Sequence, residues 1–327
     1  MVSVSSLLLA LLPATSVLAC AMHRATTTQD SVERRDSSTG QCGAANGNLS
    51  CNGTTVNRCC SQAGWCGDST DHCGTGCQAA FGYCSPPAPA PTIPAISTRA
   101  KLGSVPYGSE IYACTKANTI ALTFDDGPYL YTAALLDLLK TKGVKATFFV
   151  TGSNLDKGDI DSTAAWTSVI QRAYNEGHQI ASHTWTHADL SAVDEATRKY
   201  EMVRNEQAFL KIIGKYPTYM RPPYISCNAA CQATMGTLGY HVILWDLDTD
   251  DYNQDAAGLI QNSKNNVKTA YDQRWDAYMS IAHDIHYQTV YNLTSYQIDA
   301  GRAAGYTHTT LGECLQDPAA NWYRTQL

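Results

Sequence analysis

Apolar runs and amphipathic stretches alternate along most of the chain. Thr119–Phe124 is a short run of β-formers and predicts a strand. Thr132–Lys142 repeats Leu and Ala at helical spacing and ends at Gly143, a helix with a glycine cap. Val144–Val150 predicts a second strand, Ala164–Glu176 a helix closed by Gly177, and His178–Ser182 a third strand. Ser191–Ile213 is a long helical stretch before Gly214, and His241–Trp245 and Tyr278–Ala282 predict further strands. Strand–helix alternation over about 220 residues predicts an α/β domain of barrel type.

The first hundred residues have a different character. Ser5–Leu12 is apolar but far shorter than the ~20 residues that span a bilayer. It leads into Val17-Leu18-Ala19-Cys20-Ala21, which fits signal-peptide cleavage after Ala19 or Ala21, so a secreted protein is expected. The same stretch also resembles a lipid-attachment box. Between residues 42 and 84 lie eight cysteines among Gly, Asn and Ser, too few aliphatics for a core, so cross-links must hold that segment. Residues 85–97 carry five of the twelve prolines and predict a semi-rigid spacer. The expected organisation is a signal peptide (1–21), a propeptide or linker (22–40), a cysteine-rich module (41–84), a Pro-rich linker (85–99) and a large α/β domain (100–327).

Composition narrows the classes. The 327 residues hold 23 Lys+Arg against 29 Asp+Glu, a net charge of −6, which argues against nucleic acid as a partner. Thirteen cysteines suit an oxidising compartment, and cleavage after Ala21 would leave an even twelve. No second long apolar run follows, so no membrane association is expected once the signal is removed. Sequons at Asn48, Asn52 and Asn292 fit secretion, and Arg34-Arg35 is a candidate dibasic site or a solvated charge pair. No Gly-x-Ser-x-Gly elbow marks a serine hydrolase.

Four polar clusters follow predicted strands, where barrel enzymes gather their active sites. Thr123-Phe124-Asp125-Asp126-Gly127-Pro128 sets two carboxylates side by side, tolerable if a cation holds one and a guanidinium the other. Alone, it reads equally as an Asp-Gly-Pro turn. His183 and His187 are spaced i, i+4, close enough on a helical turn to share a metal. With Asp126 they make three ligands and leave a position open for water. Arg221-Pro222-Pro223-Tyr224 is a stiffened loop that can aim Arg221 at Asp125. Ile281-Ala282-His283-Asp284 offers His283 as a general acid, with Asp248 as a candidate hydrogen-bond partner for its imidazole.

Together and in this order, the motifs resemble the polysaccharide deacetylase domain of carbohydrate esterase family 4, the NodB homology domain, over roughly residues 100–315. The family's Thr-Phe-Asp-Asp-Gly-Pro, His-Ser/Thr-x-x-His, Arg-Pro-Pro-Tyr, Asp-x-x-Asp-Trp/Tyr and Leu-x-His motifs all have counterparts, with Ile281 where Leu is usual. The resemblance implies a distorted (β/α) barrel of seven or eight strands. It implies that Asp126, His183 and His187 hold one divalent metal, usually Zn2+ with Co2+ as an alternative. Asp125 would be the general base, positioned by Arg221, and His283 the acid, tuned by Asp248. The Tyr224 backbone N–H would bind the oxyanion, and Tyr252 and Ile281 would line the acetyl pocket. It further implies bridges Cys114–Cys314 and Cys227–Cys231.

The cysteine-rich segment, through Cys59-Cys60-Ser61-Gln62-Ala63-Gly64-Trp65-Cys66-Gly67, resembles a hevein-like chitin-binding domain. That resemblance implies pairs Cys42–Cys60, Cys51–Cys66, Cys59–Cys73 and Cys77–Cys84, and sugar binding by Ser61 and Trp65. Two further aromatic positions are Ala63 and His72 here, and each missing ring should cost about 1 kcal/mol of binding. The combined expectation is a secreted chitin deacetylase acting on chitin or its oligosaccharides. An acetyl xylan esterase on the same fold and a non-catalytic chitin-binding protein are the rivals.

Overall fold

The computed structural model describes residues 35–36, 40–51, 59–67, 70–73, 76–82 and 98–327. The expected signal peptide, most of the 22–40 segment and residues 85–97 of the linker lie outside these. From residue 98 the chain forms one α/β unit. Its elements are β1 (Glu110–Ile111), β2 (Thr119–Asp125), α1 (Thr132–Lys142), β3 (Thr147–Val150), α2 (Ala164–Asn175), β4 (Gln179–Ser182) and α3 (Glu195–Ile213). Then come β5 (Tyr219–Met220), α4 (Ala229–Leu238), β6 (His241–Ile243), β7 (Leu247–Asp248), α5 (Ile260–Gln273), β8 (Ala277–His283), α6 (Thr294–Ala303) and β9 (Thr307–Thr309).

The nine strands make one parallel sheet in the order β7-β8-β2-β3-β4-β5-β6-β1, with β9 also beside β2. Seven or eight strands were expected. The additional pairing comes from strands of two or three residues, too short to show a hydrophobic period. Among the described residues β7 and β1 each pair with one neighbour, so the barrel is a curled, open sheet.

Strand alternation sorts the side chains into two cores. Ile120, Leu122, Phe124, Phe148, Val150 and Ile180 face the surrounding helices, against Leu135, Leu136, Leu139, Ile170 and Phe209. Ala121, Phe149, Ala181, Tyr219, Ile243 and Met279 face the other way and pack together with Leu311, Cys314 and Leu315. The Cys114–Cys314 bridge ties this inner core to the segment before β2.

The long helices end where their glycines stop them: Gly143 and Gly214 adopt the left-handed conformation. Asp194 caps α3 by accepting from the Thr197 N–H at 2.7 Å, so the helix begins at Glu195 rather than Ser191. No helix among the described residues is long and apolar enough to cross a membrane.

In the cysteine-rich module the pairs Cys42–Cys60, Cys51–Cys66 and Cys59–Cys73 form as the resemblance implies. Cys84 lies outside the described residues, and with it the expected Cys77–Cys84 bridge. Cys227–Cys231 closes the first turn of α4.

Arg99 enters the α/β unit through a buried ion pair. Its Nη1 and Nη2 donate to Glu206 at 2.5 and 2.8 Å, and Tyr240 donates to the same carboxylate at 2.8 Å. Removing one partner strands a buried charge. Arg99→Ala should therefore lower stability by about 3–5 kcal/mol in chemical denaturation, whereas cutting the solvent-exposed Lys268–Asp272 pair should leave stability nearly unchanged.

Candidate active site

The inner-face alternation continues past the apolar core and turns polar at the strands' C-terminal ends. Ala121 is followed on its face by Thr123 and Asp125, Ala181 by His183, Tyr219 by Arg221, and Met279 by Ile281 and His283. The same period that packs the barrel centre thus delivers these polar groups to one place. Asp125 and His283 are in register on β2 and β8, opposite each other on neighbouring strands.

Arg221 is fully buried. Its Nη1 donates to Asp125 Oδ1 and to Thr123 Oγ1, both at 2.7 Å, and its Nη2 donates to the Leu244 carbonyl at 2.8 Å. The guanidinium lies over Phe149 at 4.2 Å. Asp125 Oδ1 is therefore occupied, while Oδ2 turns toward His183 Nε2, 3.8 Å away.

The backbone of Asp126 is left-handed (φ 75°), which swings its carboxylate to the same centre as its neighbour's. Asp126 Oδ1 is 3.5 Å from His183 Nε2 and 3.2 Å from His187 Nε2. The Asp126, His183 and His187 ligand atoms lie within 4.8 Å of one another. Ligand atoms on a tetrahedral zinc, each about 2.1 Å from it, stand about 3.4 Å apart. Asp126 Oδ1 is also buried without a hydrogen-bond partner. His183 Nδ1 pairs with the Arg221 carbonyl at 2.8 Å, which makes Nδ1 the protonated nitrogen and leaves Nε2 free to ligate. Burial holds the His183 imidazole neutral, its pKa lowered to about 4. Spacing, orphaned oxygen and tautomer all fit one divalent metal. The other cysteine-based grouping, Cys42, Cys51 and Cys60, consists of half-cystines.

His183 and His187 do not share a helical turn, as their spacing suggested. They sit on an irregular loop after β4, with Thr184 and His187 both left-handed (φ 69° and 63°). Such residues cost about 1–3 kcal/mol each, and the surroundings hold them. Asn205 of α3 donates to the Ser182 hydroxyl and to the Val150 and Thr184 carbonyls, and Glu201 accepts from the Thr186 N–H and hydroxyl.

The partner of His283 also differs from expectation. Its Nδ1 meets Asp251 Oδ1 at 2.8 Å, and its own N–H donates to Asp251 Oδ2 at 2.7 Å. Thr289 donates to Asp251 as well, at 2.6 Å. Asp248 instead accepts from the Asp250 N–H and the Tyr252 hydroxyl. Asp250 is left-handed (φ 56°), and the short turn it opens carries Asp251, not Asp248, beneath the imidazole. Burial alone would lower the His283 pKa, but the buried Asp251 carboxylate overrides it and raises the pKa to about 10.

Tyr252 stands edge-on to His283 at 5.5 Å, and Ile281 is buried one step down the same strand face. Tyr224, left-handed (φ 57°) and exposed, meets the His187 ring at 4.6 Å. Lys157 was not foreseen, because nothing in its local sequence marks it. Its Nζ donates to the Asp126 and Gly127 carbonyls at 3.2 Å and to Thr151 at 2.8 Å, bracing the left-handed turn. In the module, Ser61 is buried and accepts from the Trp65 N–H at 3.1 Å, while the Trp65 ring is 49% exposed.

Replacing Asp251 with Asn removes the charge that overrides burial. The His283 imidazole of Asp251→Asn should titrate by NMR well below that of the wild type. Asp248→Asn should leave that titration nearly in place, since its carboxylate does not touch the ring.

Comparison with known proteins fits this geometry. Residues 112–243 match the Polysaccharide deacetylase family and residues 41–84 the Chitin recognition protein family. A chitin deacetylase of Pestalotiopsis sp is 48% identical over 225 residues, covering 68% of this chain and 72% of the relative. A chitin deacetylase of Colletotrichum lindemuthianum is 42% identical over 222 residues, covering 67% and 88%. The solved structure of the chitin deacetylase from that fungal pathogen superposes with a TM-score of 0.66 at 40% identity, covering 68% of this chain and 98% of that one. The chain belongs to the polysaccharide deacetylase family.

Proposed function

We propose that the protein is a secreted, metal-dependent chitin deacetylase that hydrolyses the N-acetyl groups of N-acetylglucosamine polymers to acetate and free amine, leaving chitosan. One observation carries the reading: a guanidinium-held carboxylate and a carboxylate-held imidazole face each other across neighbouring strands, beside a three-ligand centre. The relatives named chitin deacetylase and the chitin-recognition match support the substrate.

Asp126, His183 and His187 would hold the metal, and one carboxylate with two imidazoles suits Zn2+ first and Co2+ second. When bound, a divalent cation supplies Lewis acidity toward a carbonyl and makes water a stronger acid. Asp125 takes the proton of the attacking water on Oδ2, since Arg221 occupies Oδ1 and aims the carboxylate. The water oxygen bonds to the acetyl carbon, and the Tyr224 N–H receives the charge that develops on the carbonyl oxygen. His283, kept as imidazolium by Asp251, then donates its Nε2 proton to the nitrogen as the C–N bond breaks. Tyr252 and Ile281 border the space for the acetyl methyl. In the module, Trp65 offers a face for a sugar ring and would keep the enzyme on the insoluble polymer.

Chelation should abolish acetate release from N-acetylglucosamine oligomers, and zinc should restore it. Asp125→Asn should lower kcat by about 10²–10⁴-fold while retaining its metal. Faster release from acetylated xylan than from the oligomers would move the assignment to an O-acetyl esterase. Trp65→Ala should reduce retention on solid chitin without changing kcat on soluble oligomers; equal retention would remove the module from substrate holding.

A further inference from the structure

An aromatic shelf borders the site, and none of the roles above uses it. Tyr131 lies just beyond the Asp126 turn, and Tyr287 and Tyr291 lie just beyond His283. The Tyr287 and Tyr291 rings are 4.5 Å apart, and Tyr131 meets them edge-on at 5.6 and 6.1 Å. Tyr131 packs partly buried against the core, whereas Tyr287 and Tyr291 are 48% and 50% exposed, with exposed Leu130 alongside.

The shelf is rigid and continuous with the reacting groups. On one side of Tyr287, the His286 Nδ1 pairs with Asp255 Oδ2 at 3.2 Å. On the other, the Gln288 N–H donates to Asp255 Oδ1 at 2.8 Å. One carboxylate thus holds the residue on either side of Tyr287, by the His286 side chain and the Gln288 backbone. The His286 ring in turn stands 5.9 Å from that of His283. Exposed Tyr224 and Ile225 border the opposite side of the centre, beyond His187. A polymer placed with one acetyl group between Asp125 and His283 can extend over either rim. Half-exposed, pre-ordered ring faces suit the apolar face of a pyranose, since little ordering is lost on contact.

We infer that Tyr287 and Tyr291, braced by Tyr131, form an accessory sugar subsite that stacks a pyranose of the substrate chain beyond the reacting residue, on the His283 side. The inference rests on the polysaccharide reading above and extends it to chain-length preference. It assigns these tyrosines to holding the polymer, not to the chemistry.

The test compares wild type, Tyr287→Ala/Tyr291→Ala and Tyr287→Phe/Tyr291→Phe as full-length proteins. Acetate release is followed from the dimer and the pentamer of N-acetylglucosamine, with pentamer binding measured by calorimetry. The alanine pair should raise the pentamer KM about tenfold and the dimer KM by about twofold or less, with pentamer kcat held. The phenylalanine pair, which keeps the rings, should restore the pentamer KM. Equal changes for dimer and pentamer, or none, would overturn the subsite. So would a wild-type dimer that the alanine pair converts to monomer, since the shelf would then be a contact between copies. If wild type releases acetate from neither oligomer, the chitin reading fails by itself and calorimetry decides the subsite. Pentamer affinity lost only in the alanine pair would keep it, and equal affinity in all three proteins would end it.

Discussion

One buried guanidinium organises the catalytic end of the barrel. Arg221 lies at the centre of the sheet with no exposure, and a charge there is tolerable only if its donors are met. Asp125, Thr123 and the Leu244 carbonyl meet them. The same residue's carbonyl receives His183 Nδ1, so one position holds the Asp125 carboxylate by its side chain and the His183 imidazole by its backbone.

Around that centre the site follows from the architecture of a parallel sheet. The strands are buried on both faces: their inner residues are apolar at mid-strand, Thr147 and Gln179 at the strand starts are hydrogen-bonded, and the site's polar residues begin at the C-terminal ends. The loops that follow carry the strain: Asp126, Thr184, His187 and Tyr224 all lie in the left-handed region without being glycine. Helix α3 and Lys157 hold two of those loops by hydrogen bonds to their carbonyls. Stability is thus concentrated in helices and strands and drawn on by the turns that present the ligands.

The electrostatic design separates two carboxylates next to imidazoles by what each touches. Asp126 approaches His183 and His187 with an oxygen that no donor fills, the arrangement of a cation ligand. Asp251 is met by the Thr289 hydroxyl and by the backbone N–H and ring Nδ1 of His283, the arrangement of a fixed counter-charge. The two imidazoles respond in opposite directions, His183 toward neutrality and His283 toward the cation. One site thereby holds a neutral imidazole and a charged one at the same pH.

Strand–helix alternation, the glycine stops at Gly143 and Gly214, the five motifs and the cysteine-rich module were all legible along the chain, because period, cap and motif are local properties. So was the set Asp125, Asp126, His183, His187, Arg221 and His283: Arg221 through its Arg-Pro-Pro-Tyr motif, the others because each follows a strand whose pattern is plain. Strands of two or three residues, such as Tyr219–Met220 and Leu247–Asp248, were not legible, having too few positions to show a period. Nor was the choice of Asp251 over Asp248 beneath His283: both lie in one motif, and only the left-handed turn at Asp250 decides which reaches the ring. Lys157 and the shelf of Tyr131, Tyr287 and Tyr291 depend on segments that meet only when the barrel curls. The sequence by itself determined which chemistry the chain carries, through residue type and strand parity. Which carboxylate meets which imidazole was decided by the tertiary structure, because hydrogen bonds of a few ångströms depend on loop conformation that no periodicity encodes.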